Sequence, residues 1–342
     1  MRQIIVRANE AGQRLDKFLQ KYMKEAPTSF FYKMMRKKNI LLNEKKCAGS
    51  EKLTEGDCIR LYLAEETLEK FGAPVSDGAD ISPYEKAYAS IGALSVLWEN
   101  EYGLAVNKPA GILSQKARPT DRSLNEWLVG YLLREGELTA ADLATFRPSV
   151  CNRLDRNTSG IVLCSKTLIG SQILTEAVRE KSVRKFYRLL AFGRMEKSGV
   201  FEAWEKKDPA SNQVQIAMSP QKGAQRIRTG IRPLLTGRLP GVGEVTYAEA
   251  ELFTGKTHQI RASLAAMGHP LLGDAKYGGR QGDSLEKYGV RGQMLHACRV
   301  EFGETAQLSR AQFGGLILTA PLPRPFQRVL TALKDRNDIE VN

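Results

Sequence analysis

The order of strand-like and helix-like segments in the C-terminal three quarters of the chain most restricts the fold. Strand patterns occur at 94–98, 102–107, 160–164, 185–192 and 243–253, and a helical pattern occurs at 169–178. No βαβ unit recurs along this order, and a doubly wound parallel sheet requires that repeat. We therefore predict an α+β fold with a mixed, mainly antiparallel sheet flanked by helices and loops.

The net charge restricts the class of partner. The 342 residues include 51 Lys+Arg and 38 Asp+Glu, a formal charge of +13. Such an excess favours a polyanion, with nucleic acid preferred over an anionic membrane surface. No segment approaches the about 18 consecutive apolar residues of a membrane-spanning helix, and the N-terminus lacks the pattern of a secretory signal.

Cysteine and histidine usage indicates the compartment and argues against a metal. The five cysteines include no Cys-x-x-Cys pair, which is typical of a protein in the reducing cytoplasm. The three histidines are too widely spaced to suggest a metal site. We expect a cytoplasmic protein without a metal.

The positive charge is concentrated near the N-terminus. Apolar residues recur at helical spacing from Leu15 to Tyr22, and a second helix is predicted after Pro27. With short strands near residues 40 and 60, residues 1–64 form a small α+β domain. The side chains expected to bind RNA there are Arg14, Lys17, Lys33, Arg36, Lys37 and Lys38. An ordinary solvated helix surface is the alternative.

Composition changes after this domain. Residues 65–92 contain more acidic than basic residues, with Gly and Pro interspersed, and are predicted to be an acidic linker. The remaining strand and helix patterns then belong to a second domain over residues 93–335.

A polar loop before the apolar run at 160–164 carries the strongest chemical signal. Asp155 lies between Arg153 and Arg156 in this loop. Loops at the edge of a rigid sheet commonly hold reactive groups. The arginines would keep the carboxylate ionised and able to act as a nucleophile or base. From charge alone, an ordinary ion-paired loop aspartate is the alternative.

Four sequence blocks then point to one family. The stretch 153–160, Arg-Leu-Asp-Arg-Asn-Thr-Ser-Gly, resembles the signature H-R-L-D-x-x-T-S-G of the RluA-type pseudouridine synthases. Asn-Lys-Pro-Ala-Gly at 107–111, Lys-Phe-Tyr at 185–187 and Gly-Lys-Thr-His-Gln-Ile-Arg at 255–261, with its continuation at 268–274, resemble further blocks in the family's order. The N-terminal domain resembles the S-four-like RNA-binding domain, or αL motif, that precedes many of these synthases.

The resemblance implies the pseudouridine synthase fold and an activity that isomerises uridine in RNA without a cofactor. It implies that Asp155 attacks the target uridine, after which the base detaches and rejoins through carbon 5. It further implies that Arg261 keeps Asp155 ionised and oriented, that Tyr187 stacks on the extruded uracil, and that Arg153 contacts RNA near the vacated position. His258 and Gln259 are interpreted as a polar network at a helix start. Asn152 departs from the signature's histidine, which we expect to be tolerated.

The substrate and the assembly are further expectations. We expect large-subunit ribosomal RNA as the substrate, with transfer RNA as the alternative, and a monomeric enzyme. A non-catalytic RNA-binding or ribosome-assembly protein is a second hypothesis, which would require Asp155, Tyr187 or Arg261 to be dispensable. Association of the basic helices with an anionic membrane is a third.

Overall fold

The structure is a computed structural model that describes residues 1–72, 80–207, 214–279 and 282–337. Its helices are α1 Leu15–Tyr22, α2 Thr28–Arg36, α3 Glu65–Lys70, α4 Ser82–Ile91, α5 Leu124–Arg134, α6 Leu168–Arg179, α7 Gln259–Ala266, α8 Asp283–Glu286, α9 Ala306–Arg310 and α10 Arg324–Asn337. Its strands are β1 Arg2–Ile5, β2 Ile40–Leu42, β3 Lys45–Lys46, β4 Cys58–Leu61, β5 Ser95–Glu99, β6 Gly103–Lys108, β7 Ser149–Val150, β8 Ser159–Ser165, β9 Val183–Phe192, β10 Gly199–Lys207, β11 Val214–Ala217, β12 Gln225–Leu239, β13 Gly243–Leu252, β14 Leu295–Phe302 and β15 Ile317–Thr319.

The chain forms two compact units. The first comprises Met1–Ala105, Ser114–Arg153 and Leu163–Glu176. The second comprises Val106–Leu113, Leu154–Val162 and Ala177–Asn342. None of the helices in the described residues is long and apolar enough to cross a membrane.

The N-terminal part of the first unit has the predicted helices and strands. A four-stranded antiparallel sheet in the order β1-β4-β2-β3 accompanies α1 and α2. The apolar faces of the two helices are buried in one core, which includes Phe18 and Phe31 at 0% exposure. Their lysines and arginines consequently lie on the outside.

The segment predicted as an acidic linker differs from that expectation, because it contains α3 and α4. Leu68 of α3 is fully buried in the N-terminal core, and the ring of Phe71 lies 4.6 Å from that of Phe30. The ring of Tyr88 in α4 stacks on Trp127 of α5. These few apolar residues are enough to pack both helices, although acidic residues dominate the composition of the segment.

Polar contacts join the N-terminal part to residues 139–168 within the same unit. Arg7 Nη1 donates to Asp142 Oδ1 at 2.8 Å, and the hydroxyl of Thr145 hydrogen-bonds the buried carboxylate of Glu10. The amide of Leu168 donates to the carbonyl of Asn9 at 3.2 Å. The domain boundaries at residues 64 and 93 stay predictions.

The larger sheet has eleven strands. Its order is β11-β10-β12-β13-β9-β14-β8-β6-β5, with β15 beside β14 and β7 beside β8. Most of the pairs are antiparallel, whereas β14 and β8 run parallel. The prediction of an α+β fold with a mixed, mainly antiparallel sheet is confirmed. One face of this sheet packs against α10 through Leu190, Val245, Phe326 and Val329.

The strands β10, β11 and β12 were not recognised from the sequence. Two of the arginines that interrupt the apolar alternation of β12, Arg226 and Arg228, are paired across the sheet. Arg228 Nε donates to Glu202 Oε1 of β10 at 2.8 Å, and Arg226 contacts the same carboxylate. Cross-strand ion pairs of this kind let a polar segment join a sheet, so its hydrophobic pattern is weak.

Candidate active site

Asp155 lies in the loop that enters β8. The backbone of Gly160 has φ +112, and a Cβ at that position would lie 2.2 Å from the carbonyl oxygen of Ala297 on β14. Only glycine allows this close approach. The amide of Thr158 donates to the carbonyl of Asp155 at 3.1 Å. The loop is thus held at its base while the Asp155 side chain remains 28% exposed.

Arg261 connects Asp155 to a second carboxylate. It is the third residue of α7, and its Nη1 donates to Asp155 Oδ2 at 2.8 Å. Its Nε and Nη2 donate to the two oxygens of Asp274 at 2.7 and 2.8 Å. The side chain of Arg261 is 7% exposed and that of Asp274 is 1% exposed. This bidentate pair fixes the plane of the guanidinium and aims its remaining nitrogen at Asp155.

The electrostatics of Arg261 follow from its two partners. Burial disfavours its charge, but the hydrogen bonds and negative charges of Asp274 and Asp155 raise the pKa of Arg261 above its ordinary value. A permanently charged donor therefore faces Asp155 from within the protein. The outer side of the Asp155 carboxylate remains accessible to a substrate.

His258 and Tyr277 complete this side of the site. His258 precedes α7 with φ +55, and its Nε2 lies 3.8 Å from Asp155 Oδ1. Its Nδ1 is 3.0 Å from the hydroxyl of Tyr277, whose ring also lies 5.2 Å from the Arg261 guanidinium carbon. Burial lowers the pKa of His258, with the charge of Arg261 acting in the same direction. The imidazole is consequently neutral at neutral pH.

Gln259 forms the polar network expected at the start of α7. Its side-chain oxygen accepts from the Thr254 hydroxyl at 2.9 Å and the Lys256 amide at 3.1 Å. Its Nε2 donates to the Arg228 carbonyl at 3.0 Å and the Thr229 hydroxyl at 2.9 Å. His258 differs from the expectation, because it reaches towards Asp155 as well as the helix start.

Tyr187 lies on β9, opposite Ala250 of β13 and Ala297 of β14. It is 6% exposed. Burial raises the pKa of Tyr187, and the negative charge of Asp155 raises it further. The ring is therefore less open than a ring that projects freely into a cleft.

Lys108 is a buried residue of the site that the sequence interpretation did not single out. It is 0% exposed, and its ammonium donates to the carbonyls of Pro109, Ile112 and Arg156 at 3.0, 2.8 and 3.2 Å. Burial lowers the pKa of Lys108 to about 7, against the opposing charge of Asp155. Together with the Gly111 amide, which also donates to the Arg156 carbonyl, Lys108 ties the loop after β6 to the Asp155 loop.

The position that departs from the signature has a structural role. Asn152 Oδ1 accepts a hydrogen bond from the amide of Leu163 at 2.7 Å. An amide side chain can thus support the start of the loop without an imidazole. Arg153, the next residue, is exposed.

The basic residues expected to bind RNA in the N-terminal domain all lie on its surface. Arg14, Lys17, Lys33, Arg36, Lys37 and Lys38 are exposed. Arg14 differs from the others because Asp16 pairs with it at 2.8 Å. Their contact with RNA stays a prediction.

Asp274 was part of a matched block but was not recognised as a site residue. Its signal in the sequence was its place at the end of the 268–274 block. The described residues contain no group of three or more His, Cys, Asp or Glu side chains that could hold a metal ion.

Comparison with known proteins identifies the family. A family model described as RNA pseudouridylate synthase matches residues 102–266. The chain is 30% identical over 335 residues to "Ribosomal large subunit pseudouridine synthase C" of Haemophilus ducreyi, covering 95% of this chain and 93% of that protein. It is 28% identical over 333 residues to the protein of the same name from Vibrio cholerae, covering 95% and 94%.

A solved structure has a similar fold. The solved structure "Human RNA Pseudouridylate Synthase Domain Containing 4" matches with a TM-score of 0.56 at 20% identity, covering 73% of this chain and 98% of that one. Similarity at this level supports the pseudouridine synthase fold. With 30% identity across nearly the whole of both chains, and with matched sequence blocks meeting at Asp155, the chain belongs to the RNA pseudouridine synthase family and is an enzyme of that class.

Proposed function

We propose that Asp155 is the catalytic group of this enzyme. The observation that carries the proposal is the Arg261 hydrogen bond to Asp155 Oδ2, because it orients a carboxylate that is still 28% exposed. An ionised, oriented carboxylate is suited to nucleophilic attack on the target uridine, at the anomeric carbon or at the uracil ring. The N1–C1′ bond breaks, the base turns, and C5 bonds to C1′ while Asp155 is released. C5 loses a proton and N1 gains one, so the product is an isomer of the substrate and no cofactor is required.

Arg261 acts on the carboxylate of Asp155, and Tyr187 acts on the uracil of the substrate. Arg261 positions the Asp155 carboxylate, with Asp274 holding the guanidinium in place. Tyr187 stacks on the uracil, which must leave its helix to reach the carboxylate. Arg153 contacts RNA beside the vacated position, and its exposure supports this role.

We propose large-subunit ribosomal RNA as the substrate. Support comes from the names of the relatives in Haemophilus ducreyi and Vibrio cholerae, which match nearly the whole chain. Residues 1–64 act as the S-four-like RNA-binding domain, through Arg14, Lys17, Lys33, Arg36, Lys37 and Lys38. The enzyme acts in the cytoplasm as a monomer.

The test is pseudouridine mapping in cells of the source organism that lack this protein. Carbodiimide modification with primer extension, applied to ribosomal and transfer RNA, should show pseudouridines missing from large-subunit ribosomal RNA. Wild-type protein and Asp80→Asn should restore them, because Asp80 is an exposed aspartate that accepts from the amide of Ser82. Asp155→Asn should not restore them.

Each other outcome changes a defined part of the proposal. Sites missing only from transfer RNA would replace the substrate. Restoration of the sites by Asp155→Asn would remove Asp155 from the chemistry. Purified Asp155→Asn should convert uridine at least about 10³-fold more slowly while it binds RNA as the wild type does.

A further inference from the structure

A groove lined by basic side chains lies on the second unit, between α8 and α10. Lys287, Arg324 and Arg328 line it together with Tyr288, Gln327 and Thr331. All three basic side chains are exposed. We call these six residues the basic groove.

The basic groove borders a second cavity that reaches the Asp155 loop. This cavity, of about 340 Å³, is lined by Asn157 of the loop, Ser159 at the start of β8, Arg291, and Phe326 of α10. Gly289 also lines the cavity, and a Cβ placed on Gly289 would lie 3.2 Å from Nη1 of Arg328. The guanidinium of Arg328 therefore lies between the cavity and the basic groove.

One stretch of backbone connects the basic groove to the catalytic loop. A Cβ on Gly292 would lie 3.1 Å from the Cβ of Asn157, and Gln293 Nε2 is 3.3 Å from the hydroxyl of Thr158. The stretch from Lys287 to Gln293 thus begins in the basic groove and ends in contact with residues that follow Asp155. Arg291, within this stretch, lines the cavity. Arg291 therefore lies on the part of this stretch between the basic groove and the Asp155 loop.

The basic side chains along this stretch lack acidic partners in the part of the chain that the structure describes. No ion pair within the described residues involves Lys287, Arg291, Arg324 or Arg328. The nearby acidic residues of α8, Asp283 and Glu286, do not line the basic groove.

Two arginines on the large sheet, in contrast, are paired with carboxylates. Arg184 is bound to Glu251 at 2.9 Å and to Glu301 at 3.0 Å, and Arg232 is bound to Glu249 at 2.9 Å. The positive charges of these two arginines are therefore balanced by carboxylates of the sheet. Exposed arginines and lysines that have no carboxylate partner present the positive charge to which a phosphate backbone binds.

We propose that the basic groove binds the phosphate backbone of the substrate RNA on one side of the target uridine. Arg291 contacts the nucleotide nearest Asp155, and Lys287, Arg324 and Arg328 contact phosphates farther along the strand. This surface is separate in sequence from residues 1–64, so the RNA is bound by the second unit as well as by the N-terminal domain. The inference rests on the proposed function, because it assumes that RNA reaches Asp155.

The test compares two triple variants of the full-length protein. The groove variant carries Lys287→Gln, Arg324→Gln and Arg328→Gln. The control variant carries Lys181→Gln, Lys197→Gln and Arg310→Gln, which removes the same net charge from exposed positions outside the groove. Circular dichroism and thermal melting first establish that both variants are folded.

Binding is measured with an oligouridylate strand over a series of KCl concentrations. The loss of three phosphate contacts should reduce the slope of log affinity against log salt by about 2, since each contact to a single strand contributes about 0.7. The control variant should keep the wild-type slope. With ribosomal RNA from cells lacking the protein as substrate, the groove variant should raise KM about tenfold and leave kcat unchanged.

The outcomes separate this inference from the proposed function. A groove variant with wild-type affinity and slope would overturn the inference, and the groove would then fit an acidic protein surface better than RNA. Equal losses in the groove and control variants would overturn it too, because they would reflect net charge alone. Full activity of Asp155→Asn would contradict the proposed function while leaving the oligouridylate measurement interpretable.

Discussion

Arg261 reaches Asp155 with one nitrogen because its other two hydrogen-bonding nitrogens are held by Asp274. The hydrogen bond of 2.8 Å joins residues 106 positions apart in the chain. Asp155 is partly open to solvent, whereas Asp274 is almost fully buried. The buried carboxylate therefore sets the orientation of the arginine, and the arginine sets that of the exposed carboxylate.

Replacement of Asp274 should affect both stability and the chemical step. Asp274→Asn leaves Arg261 without its buried counter-charge, which should lower the free energy of unfolding by about 3 kcal/mol. Displacement of the guanidinium should lower kcat by about 10²-fold with little change in KM. Urea denaturation and steady-state kinetics test the two effects.

The control for that variant is Glu202→Gln, which loses exposed pairs with Arg226 and Arg228. Such pairs contribute little to stability, so its urea midpoint and kcat should remain those of the wild type. A wild-type kcat in Asp274→Asn would contradict the positioning role of Asp274.

The stacking role of Tyr187 predicts different results for two substitutions. Tyr187→Leu removes the ring and should reduce kcat/KM by about 10- to 100-fold, the range of one base–aromatic contact. Tyr187→Phe keeps the ring and should stay within a few fold of the wild type. A Phe variant as inactive as the Leu variant would instead assign the role of Tyr187 to its hydroxyl.

His296 should make stability depend on pH. It is 0% exposed, with Nδ1 2.9 Å from the Ser159 hydroxyl and Nε2 3.4 Å from the Ala320 carbonyl. Burial lowers the pKa of His296 from 6.5 to about 4. Between these values the unfolded chain binds more protons, so lowering the pH from 6.5 to 4 should cost the wild type about 3 kcal/mol of stability from this residue.

Urea denaturation at a series of pH values tests this difference. His296→Gln should be less stable than the wild type at pH above 6.5, and the gap between them should narrow as the pH falls. The same pH dependence in both proteins would show that His296 is not the group responsible.

The N-terminal domain is best tested with point substitutions. Removal of residues 1–64 would expose Leu68 and break the contacts of Arg7 and Glu10 with residues 142–145. Lys33→Gln, Arg36→Gln and Lys37→Gln change only exposed side chains of the α2 region. Together they should weaken RNA binding and reduce its salt slope by about 2 for a single-stranded probe. Unchanged affinity at every salt concentration would show that this surface does not bind RNA.

Several features of the protein were determined by local sequence. The helical spacing from Leu15 to Tyr22 and the strand patterns before Lys108 and after Gly160 predicted their elements correctly, because each depends on a periodic apolar face. The polar residues around Asp155 likewise predicted the loop before β8 that carries the proposed catalytic carboxylate. Each of these patterns lies within a short stretch of chain, where the spacing of the apolar residues matches the period of the helix or strand.

Only the tertiary structure decided which distant groups meet and which charges are neutralised. It brought Arg261 to Asp155, buried Asp274 and Lys108, and drew Leu68 of the acidic segment into a core. Within the described residues, it also paired Arg184 and Arg232 of the sheet with carboxylates and gave Arg324 and Arg328 of the basic groove no such partner. Pairing and burial depend on contacts between segments far apart in the chain, and the identity of a charged residue does not reveal its partner.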